Sequence, residues 1–332
     1  MRDENLVLND VSSAFRRLVG RGTTILFGRG HRRIPGGGHL QGIQRKYSVP
    51  QEPPTFVISA SSRMVSYFVT VHFPDSIDLR PLGDRASGRN GRRGGIVKLC
   101  KIAEAPLVHA GGIQIIGDCL VVGIEDNIAR NRSRVLFYDI SDPSMPRLLS
   151  HLTIERAGKG MTAGAIGIVK RAEDHLMVVG RWDAEVLDFY RSNGLPLADP
   201  GCRFTEVTSW VHRAAHKEAW RPDTIWGKHQ NLNLVRDRAG RIHLFAFNRN
   251  SRRIDWIDLF EVAPDAPPPR MIRKIDNRRV RCAGKVNFRF GGGIGILSPD
   301  RIVAYACGKK IQTLTPIEIF RPAMGAPSAG EA

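Results

Sequence analysis

Three histidines stand at equivalent places in this sequence and are its best candidates for metal chemistry. His39, His109 and His229 each lie at or beside the start of an apolar run, and the three runs align with one another along the chain. Imidazole is a common ligand of zinc and iron, so these side chains are candidates for a divalent metal ion site. The competing interpretation is that they hydrogen-bond neighbouring loops.

Three carboxylates follow a second set of apolar runs and are candidates for acid/base catalysis. They are Glu125, Asp126 and Asp183. Hydrolysis of a glycosidic bond uses two carboxyl groups, about 5–5.5 Å apart for retention or about 6.5–9.5 Å apart for inversion of configuration. Alternatively, the run Glu125–Asn127 caps a hairpin, because Asp and Asn favour turns.

The elements that must position these residues are revealed by an internal repeat. Three series recur in the same order: a strand often rich in Gly, an apolar strand that ends in polar residues, and an alternating strand with an acid at a fixed place. The first series begins at His39, His109, Thr162, His229 and Phe290, and most members of the third carry an acid, at Asp139, Asp188, Asp258 and Glu318. Repeats of this kind, with a fourth strand after most third strands, are typical of β-propellers.

We therefore predict an all-β fold that is a single five-bladed β-propeller, closed by an N-terminal strand. The closing strand is either Asn5–Val11 or Thr23–Phe27, because the last blade lacks a fourth strand of its own. The domain prediction is an N-terminal segment with a basic Gly-rich loop over 1–38, the propeller over 39–322 and a disordered tail over 323–332. A β-sandwich, a two-domain β protein and a six-bladed propeller are the alternatives.

The segment Val135–Pro146, VLFYDISDPSMP, resembles the strand-and-turn unit of bacterial propeller repeats of the LVIVD type. The resemblance is close in one blade and loose in two others. It implies a propeller and transfers no catalytic residues, because fold does not decide function.

In a propeller the first strand of each blade lines the central channel. Since neighbouring strands are antiparallel, first-strand starts and second-strand ends meet at one mouth, where concave polar surfaces bind ligands. The known five-bladed glycosidases carry their acids on the inner strands, whereas the inner strands here carry His, Gln, Asn and Gly, which counts against a glycosidase. The predicted ligand-binding residues are His39, Gln44, His109, Gln114, Asn127, Trp182, Lys228, His229, Asn233 and Asn248.

The leading functional prediction is a non-catalytic propeller that binds a small polar ligand or a protein partner at this mouth. The first alternative is a metal-dependent or hydrolytic enzyme that uses the His and carboxylate residues of the same mouth. The second is a basic binder of nucleic acid or anionic surfaces, because the formal charge is +18 and Arg/Gly-rich loops span 28–38 and 83–95. A solvated basic surface explains the charge equally well.

Five scattered cysteines, with no CxxC spacing, predict reduced thiols and no disulfide framework. The N-terminus has no secretory pattern, and no apolar run of about 18 residues occurs. We therefore expect a cytoplasmic monomer without a membrane span.

Overall fold

The computed structural model describes residues 7–46, 54–74, 93–215 and 226–323. Within these ranges the chain is all-β apart from short helical turns and one helix, α1 (Val11–Arg16). Asp10 caps this helix by accepting a hydrogen bond from the Ser13 backbone N–H at 3.0 Å. Across the same ranges, no helix has the length and apolar character needed to cross a membrane.

Five groups of strands repeat along the chain, and the first strand of each group is largely buried. These first strands are β2 (Leu40–Lys46), β6 (His109–Ile116), β11 (Ala165–Lys170), β15 (Asn231–Arg236) and β19 (Gly292–Ser298). Each of them contacts the next, and β19 contacts β2, so the contacts run in cyclic order. Their starts lie close to those of the repeats predicted from the sequence.

The second and third strands of each group follow by antiparallel pairing. The second strands are β3 (Thr55–Ala60), β7 (Cys119–Glu125), β12 (His175–Gly180), β16 (Ile242–Arg249) and β20 (Arg301–Cys307). The third strands are β4 (Val65–His72), β8 (Arg132–Asp139), β13 (Val186–Ser192), β17 (Asp255–Val262) and β21 (Leu314–Phe320). Near-continuous burial along the second strands shows that both of their faces are covered.

The outer strands complete the groups. They are β5 (Arg93–Glu104), β9 (Arg147–Leu148), β10 (Ile154–Ala157), β14 (Phe204–Val211) and β18 (Ile272–Val280). The fourth strand expected after β8 is interrupted, because a 3-10 turn at Ser150–Leu152 separates β9 from β10.

The N-terminal strand β1 (Thr23–Gly28) supplies the missing outer strand of the last group. It pairs antiparallel with β21, with Ile25 opposite Ile317, and its end also pairs in parallel with β5. This pairing confirms the predicted strand Thr23–Phe27. The alternative over Asn5–Val11 is wrong for the described residues 7–11, where Leu8 forms only a single bridge and α1 begins.

The predicted fixed place of the third-strand acids holds for three members and fails for Asp139. Asp188, Asp258 and Glu318 lie opposite Val179, Ala246 and Ala306, near the ends of the second strands. Asp139 instead lies opposite Cys119, where its strand begins to turn. There it accepts a hydrogen bond from Ser141 N–H and pairs with Arg147.

Hydrophobic clusters lie between neighbouring groups of strands and hold the ring together. One cluster joins β1 and the first and last groups, with Phe27, Phe56 and Tyr305 fully buried. Close approach of the inner strands explains part of the glycine content. A methyl group at Gly293 would overlap the backbone carbonyl of Ile43 on the adjacent first strand.

Candidate functional site

A cavity of about 610 Å³ opens where the first strands begin and the second strands end. We call it the mouth cavity. Its lining contains most of the polar residues predicted for this place, together with others that the sequence did not indicate. The lining residues are His39, Gln41, His109, Glu125, Asn127, Gly164, Trp182, Asp183, Lys228, His229, Gln230, Arg249, Arg289, Phe290 and Lys309.

Glu125 and His109 form a buried pair on one wall of the mouth cavity. They are opposite each other on β7 and β6, and Glu125 Oε1 lies 3.0 Å from His109 Nδ1. The other oxygen of Glu125 accepts a hydrogen bond from the Ala163 backbone N–H at 2.7 Å. His109 Nε2 lies 2.6 Å from the Gln41 amide nitrogen. With the proton on Nδ1, His109 accepts from Gln41 and faces the carboxylate with its N–H.

A second imidazole–carboxylate pair lies across the ring, between His229 and Asp258. His229 Nε2 and Asp258 Oδ2 are hydrogen-bonded at 2.8 Å, and Asn248 donates to the same oxygen at 2.8 Å. Lys274 Nζ lies 2.8 Å from the other oxygen of Asp258. Burial alone would raise the pKa of Asp258, but the hydrogen bond and charge of His229 and the charge of Lys274 hold it below the usual range.

Asp183 occupies a tight turn directly after β12. Its φ of 54° lies in the left-handed region, which Asp tolerates better than most residues. Gln230 donates to Asp183 Oδ1 at 2.7 Å, and Lys228 Nζ lies 3.3 Å from Oδ2. The turn therefore presents a second carboxylate to the mouth cavity, held by two residues that precede β15.

Trp182 gives the rim of the mouth cavity an exposed aromatic surface. Its side chain is 39% exposed, which is unusual for so large an apolar ring. The guanidinium of Arg130 lies 3.5 Å from the centre of the Trp182 ring, a cation–π contact. A ring held in this way beside Asp183 offers a flat face on which a ligand can stack.

His39 stands near His109, with 5.5 Å between the ring centres. Burial lowers the pKa of His39 to about 4, and the charges of His109, Lys309 and Arg289 act in the same direction. His39 is therefore neutral at physiological pH. Phe290 lies against the same ring at 5.7 Å.

Four lining residues carry a buried polar atom without a hydrogen-bond partner among the described residues. These atoms are Gln41 Oε1, His109 Nδ1, His229 Nδ1 and Arg249 Nε, of which His109 Nδ1 faces the Glu125 carboxylate. Buried polar groups are nearly always paired in folded proteins, so such atoms need an explanation. Similar atoms lie elsewhere in the chain, as at Ser133 Oγ, but those at the cavity are placed to bind a polar ligand.

Three of the predicted ligand residues lie deeper in the channel and hydrogen-bond to the protein. Gln44 donates to Asn233 Oδ1 at 3.0 Å, and Gln114 donates to the Leu234 carbonyl at 2.8 Å. The Asn233 oxygen also accepts from the Ile294 backbone N–H. These side chains line a separate cavity of about 150 Å³ and cross-link the inner strands, so the prediction that they share the site at the mouth is wrong.

Of the remaining predicted residues, one lines the mouth cavity and the others form contacts behind or beside it. Asn127 lines the mouth cavity, whereas Asn248 lies behind it as a partner of Asp258. Asp126 caps a turn, because its Oδ1 accepts from the backbone N–H groups of Ile128 and Ala129. The capping interpretation of the sequence therefore fits Asp126, while Glu125 faces the cavity.

The three-histidine metal site does not form in the described part of the chain. Nowhere in residues 7–46, 54–74, 93–215 and 226–323 do three His, Cys, Asp or Glu side chains group as metal ligands do. His229 is engaged by Asp258, and His109 lies between Glu125 and Gln41. The candidates His39, His109 and His229 are thus used in other contacts.

The first basic loop is partly tied to the sheet, because Arg32 donates to the carbonyls of Ile96 and Val97 on β5. Most of the second loop, 83–92, lies outside the described residues, as do residues 324–332 of the predicted tail.

Sequence reasoning missed Gln41, Arg289 and the connection of Asp258 to the mouth. Gln41 lies two residues after His39 in a strand already assigned to the channel, so its position was a usable signal. Asp258 lies on a third strand, which is not among the strands that the sequence assigns to the mouth. Its carboxylate nevertheless reaches His229, and only the paired register of β16 and β17 shows this contact.

No family model and no curated protein matches this chain. Solved structures do share its fold. The catalytic domain of a GH62 α-L-arabinofuranosidase from Coprinopsis cinerea superposes with a TM-score of 0.50 and 12% identity, over 92% of this chain and 96% of that chain. An α-L-arabinofuranosidase from Podospora anserina, solved with cellotriose, superposes with a TM-score of 0.50 and 11% identity, over 91% and 97%.

The comparisons show an all-β, propeller-like fold for this chain. They also correct the leading functional prediction. The non-catalytic binding propeller is contradicted, since the two structures that superpose are α-L-arabinofuranosidases and match the enzyme alternative better than the leading prediction.

Proposed function

We propose that this chain is a glycoside hydrolase-like enzyme with its active site in the mouth cavity. One observation carries the proposal: two carboxylates from neighbouring strand groups, Glu125 and Asp183, line one cavity beside an exposed tryptophan. Glycosidic bonds are hydrolysed by such pairs of carboxyl groups. The fold that this chain shares with two α-L-arabinofuranosidases supports the same reaction class.

The backbone between the two acids explains why they face the same space. Glu125 Oε2 binds the Ala163 N–H, and the next residue, Gly164, donates its N–H to the Gly180 carbonyl. Gly180 ends β12, and the turn with Asp183 follows directly. Gly164 also lines the cavity, and its missing side chain leaves the wall beside Glu125 open, since a Cβ there would lie 3.8 Å from Glu125 Oε2.

In the proposed reaction one acid group protonates the leaving oxygen while an ionised group takes a proton from the attacking water. We assign these roles to the pair of Glu125 with His109 and to Asp183. His109 can hold a proton next to the Glu125 carboxylate, and Lys228 and Gln230 fix the orientation of Asp183. Trp182 provides the stacking surface for a sugar.

The placement of the acids differs from the pattern expected of five-bladed glycosidases. Neither acid lies on a first strand, since Glu125 ends β7 and Asp183 follows β12, both second strands. The first strands contribute His39, Gln41 and His109 instead. We therefore propose that second-strand ends supply the carboxylates in this chain.

We also propose that the five strand groups form one closed five-bladed propeller, with β1 as the outer strand of the last blade. The cyclic contacts of the five first strands and the pairing of β1 with β21 support this count. The relation of Val135–Pro146 to LVIVD-type repeats stays a proposal as well.

The experiment is a turnover assay on a panel of aryl glycosides and oligosaccharides, with four protein samples. Glu125→Gln and Asp183→Asn keep the shape of each side chain and remove its acid/base capacity. General acid/base catalysis contributes about 10²–10⁴-fold, so each variant should lose at least about 100-fold in kcat with the fold retained.

Glu155→Gln is the matched control, because Glu155 is an exposed carboxylate on β10 that pairs with Arg134. It should leave kcat unchanged. Wild-type protein that cleaves no glycoside in the panel, or acid variants that keep wild-type kcat, would overturn the proposal.

A further inference from the structure

We infer that the mouth cavity takes an acidic glycan, one whose sugar rings carry carboxylate or sulfate groups. The inference rests on the proposed function and narrows it to a substrate class. It starts from the charge of the cavity lining rather than from the charge of the whole chain.

Four cations line the mouth cavity against two carboxylates. The cations are Lys228, Arg249, Arg289 and Lys309. The carboxylates are already engaged, since Glu125 lies against His109 and Asp183 lies 3.3 Å from Lys228. The lining therefore keeps a positive excess that its own acids do not neutralise.

Two of the cations, Arg289 and Lys309, have no acidic partner within the described residues, although ion pairs are common elsewhere in the chain. Arg249 lies opposite Asp255 on β17, and its charge favours the ionised form of that carboxyl group. Arg249 also leaves its buried Nε–H without a hydrogen-bond acceptor. A guanidinium donor in this situation is suited to a carboxylate or sulfate oxygen, which forms charge-assisted hydrogen bonds with it.

The cations are grouped rather than scattered. Arg289 and Lys309 both act on His39, whose protonation they disfavour, and Lys309 lies 5.3 Å from the centre of the Phe290 ring. Lys228 stands across the cavity beside Asp183. A saccharide stacked on Trp182 would thus present ring substituents to positive charge on two sides, and clustered cations raise the local concentration of anions.

A neutral glycan would not account for this arrangement, because its uncharged hydroxyl groups form weaker hydrogen bonds with lysine and arginine than carboxylate or sulfate oxygens do. An acidic glycan supplies both the flat sugar faces that suit Trp182 and the anions that suit the cations. Nucleic acid also carries anions, and its binding becomes an outcome of the test.

The test is direct binding by titration calorimetry at 150 mM NaCl, so that it does not depend on turnover. The probes are a tri-uronic acid, its neutral methyl ester, a sulfated trisaccharide of similar size and a single-stranded oligodeoxynucleotide. We expect one acidic trisaccharide to bind at least about tenfold more tightly than the methyl ester. The carboxylated and sulfated probes decide which anion the site prefers.

Arg289→Gln and Lys309→Gln should each weaken binding of the acidic probe by about tenfold or more, since each removes a charge-assisted contact. Arg301→Gln is the matched control. Arg301 is exposed at the opposite end of β20 from Lys309, so its removal changes the net charge equally and leaves the cavity intact. Its affinity should equal that of the wild type.

Equal affinity for the acid and its methyl ester would overturn the inference, as would equal losses in all three variants or tighter binding of the oligonucleotide. The experiments distinguish failure of the hydrolase proposal from failure of the acidic-glycan proposal. An acidic trisaccharide that binds at the cavity and is never cleaved contradicts the hydrolase but supports the substrate class. A neutral glycoside that is cleaved in preference to its acidic counterpart supports the hydrolase but contradicts the substrate class.

Discussion

Replacing Asp258 by alanine tests whether the mouth depends on the buried charge cluster behind it. The side chains of Asp258 and Lys274 are only 5% and 4% exposed and lie 2.8 Å apart. Asp258→Ala leaves the Lys274 ammonium without its counter-ion and deprives His229 and Asn248 of a common acceptor. Removing one partner of a buried ion pair costs about 3–5 kcal/mol, because the other charge stays buried without compensation.

For a chain of 332 residues, an unfolding entropy of about 2.1 cal/mol/K per residue converts this cost into a fall in Tm of about 4–7 °C. Scanning calorimetry and urea unfolding at pH 7 measure it. The folded-state pKa of Asp258 is lowered, so its contribution is present above the unfolded value of about 3.9 and is lost as pH falls through the folded value. Neutral pH therefore shows the full effect.

Two further variants make this result specific. Glu261→Gln removes a carboxylate from the same strand β17, where Glu261 pairs with Arg273 on the outside, and should cost less than about 1 kcal/mol. Asp258→Ala combined with Lys274→Met removes both charges and should recover most of the loss. A cost below about 1 kcal/mol for Asp258→Ala, or a double variant as unstable as the single one, would show that the buried ion pair does not stabilise the fold in this way.

Three other substitutions test the closing strand, the inner ring and the histidine at the mouth. Phe27→Ala should lower the free energy of unfolding in urea by about 3–5 kcal/mol, because Phe27 is fully buried. Thr24→Ala, on the exposed face of the same strand, should change it by no more than about 0.5 kcal/mol. Equal effects of the two substitutions would contradict the role of β1 as a packed outer strand. Gly293→Ala should cost at least about 1–3 kcal/mol, whereas Gly36→Ala, with open space around it, should be neutral. Burial and positive neighbours lower the pKa of His39 to about 4. The stability of the wild type should therefore fall as the pH drops from 6.5 to 4, and it should fall further than the stability of His39→Gln. Tm values of both proteins at pH 7 and pH 5 measure the difference.

Much of the architecture was predictable because propeller repeats are local in sequence. The apolar runs that begin at His109 and Ile242 become strands with nearly the predicted bounds, β6 and β16. The place of Asp139 was predicted wrongly, because a short acidic motif does not determine the register in which β8 pairs with β7. Asp139 lies at the end of β8, several residues from the place that the other acids occupy on their strands. The helix at Val11–Arg16 was missed although Asp10 is a readable N-cap.

The sequence predicted where the mouth of the channel lies, but not which side chains contact one another there. Position at the start of a first strand or the end of a second strand indicates the mouth of the channel, and that was enough for His109 and Trp182. It does not say what the residue meets across the channel, so Gln114 and Asn233 were assigned to a ligand although they bind the backbone of other strands. The contact of Asp258 with His229 joins residues 29 apart in sequence and depends on the register of β15, β16 and β17, which has no local signature.

The most direct test of hydrolysis at the mouth is isotope incorporation from water. The cleaved glycan would be produced in H₂¹⁸O and the label in the new reducing end measured by mass spectrometry, before that oxygen exchanges with solvent. Hydrolysis at the mouth cavity should incorporate one ¹⁸O for each bond cleaved by the wild type, with the rate reduced at least about 100-fold in Glu125→Gln and Asp183→Asn. Cleavage without incorporated label, or labelling at the wild-type rate in both variants, would contradict it.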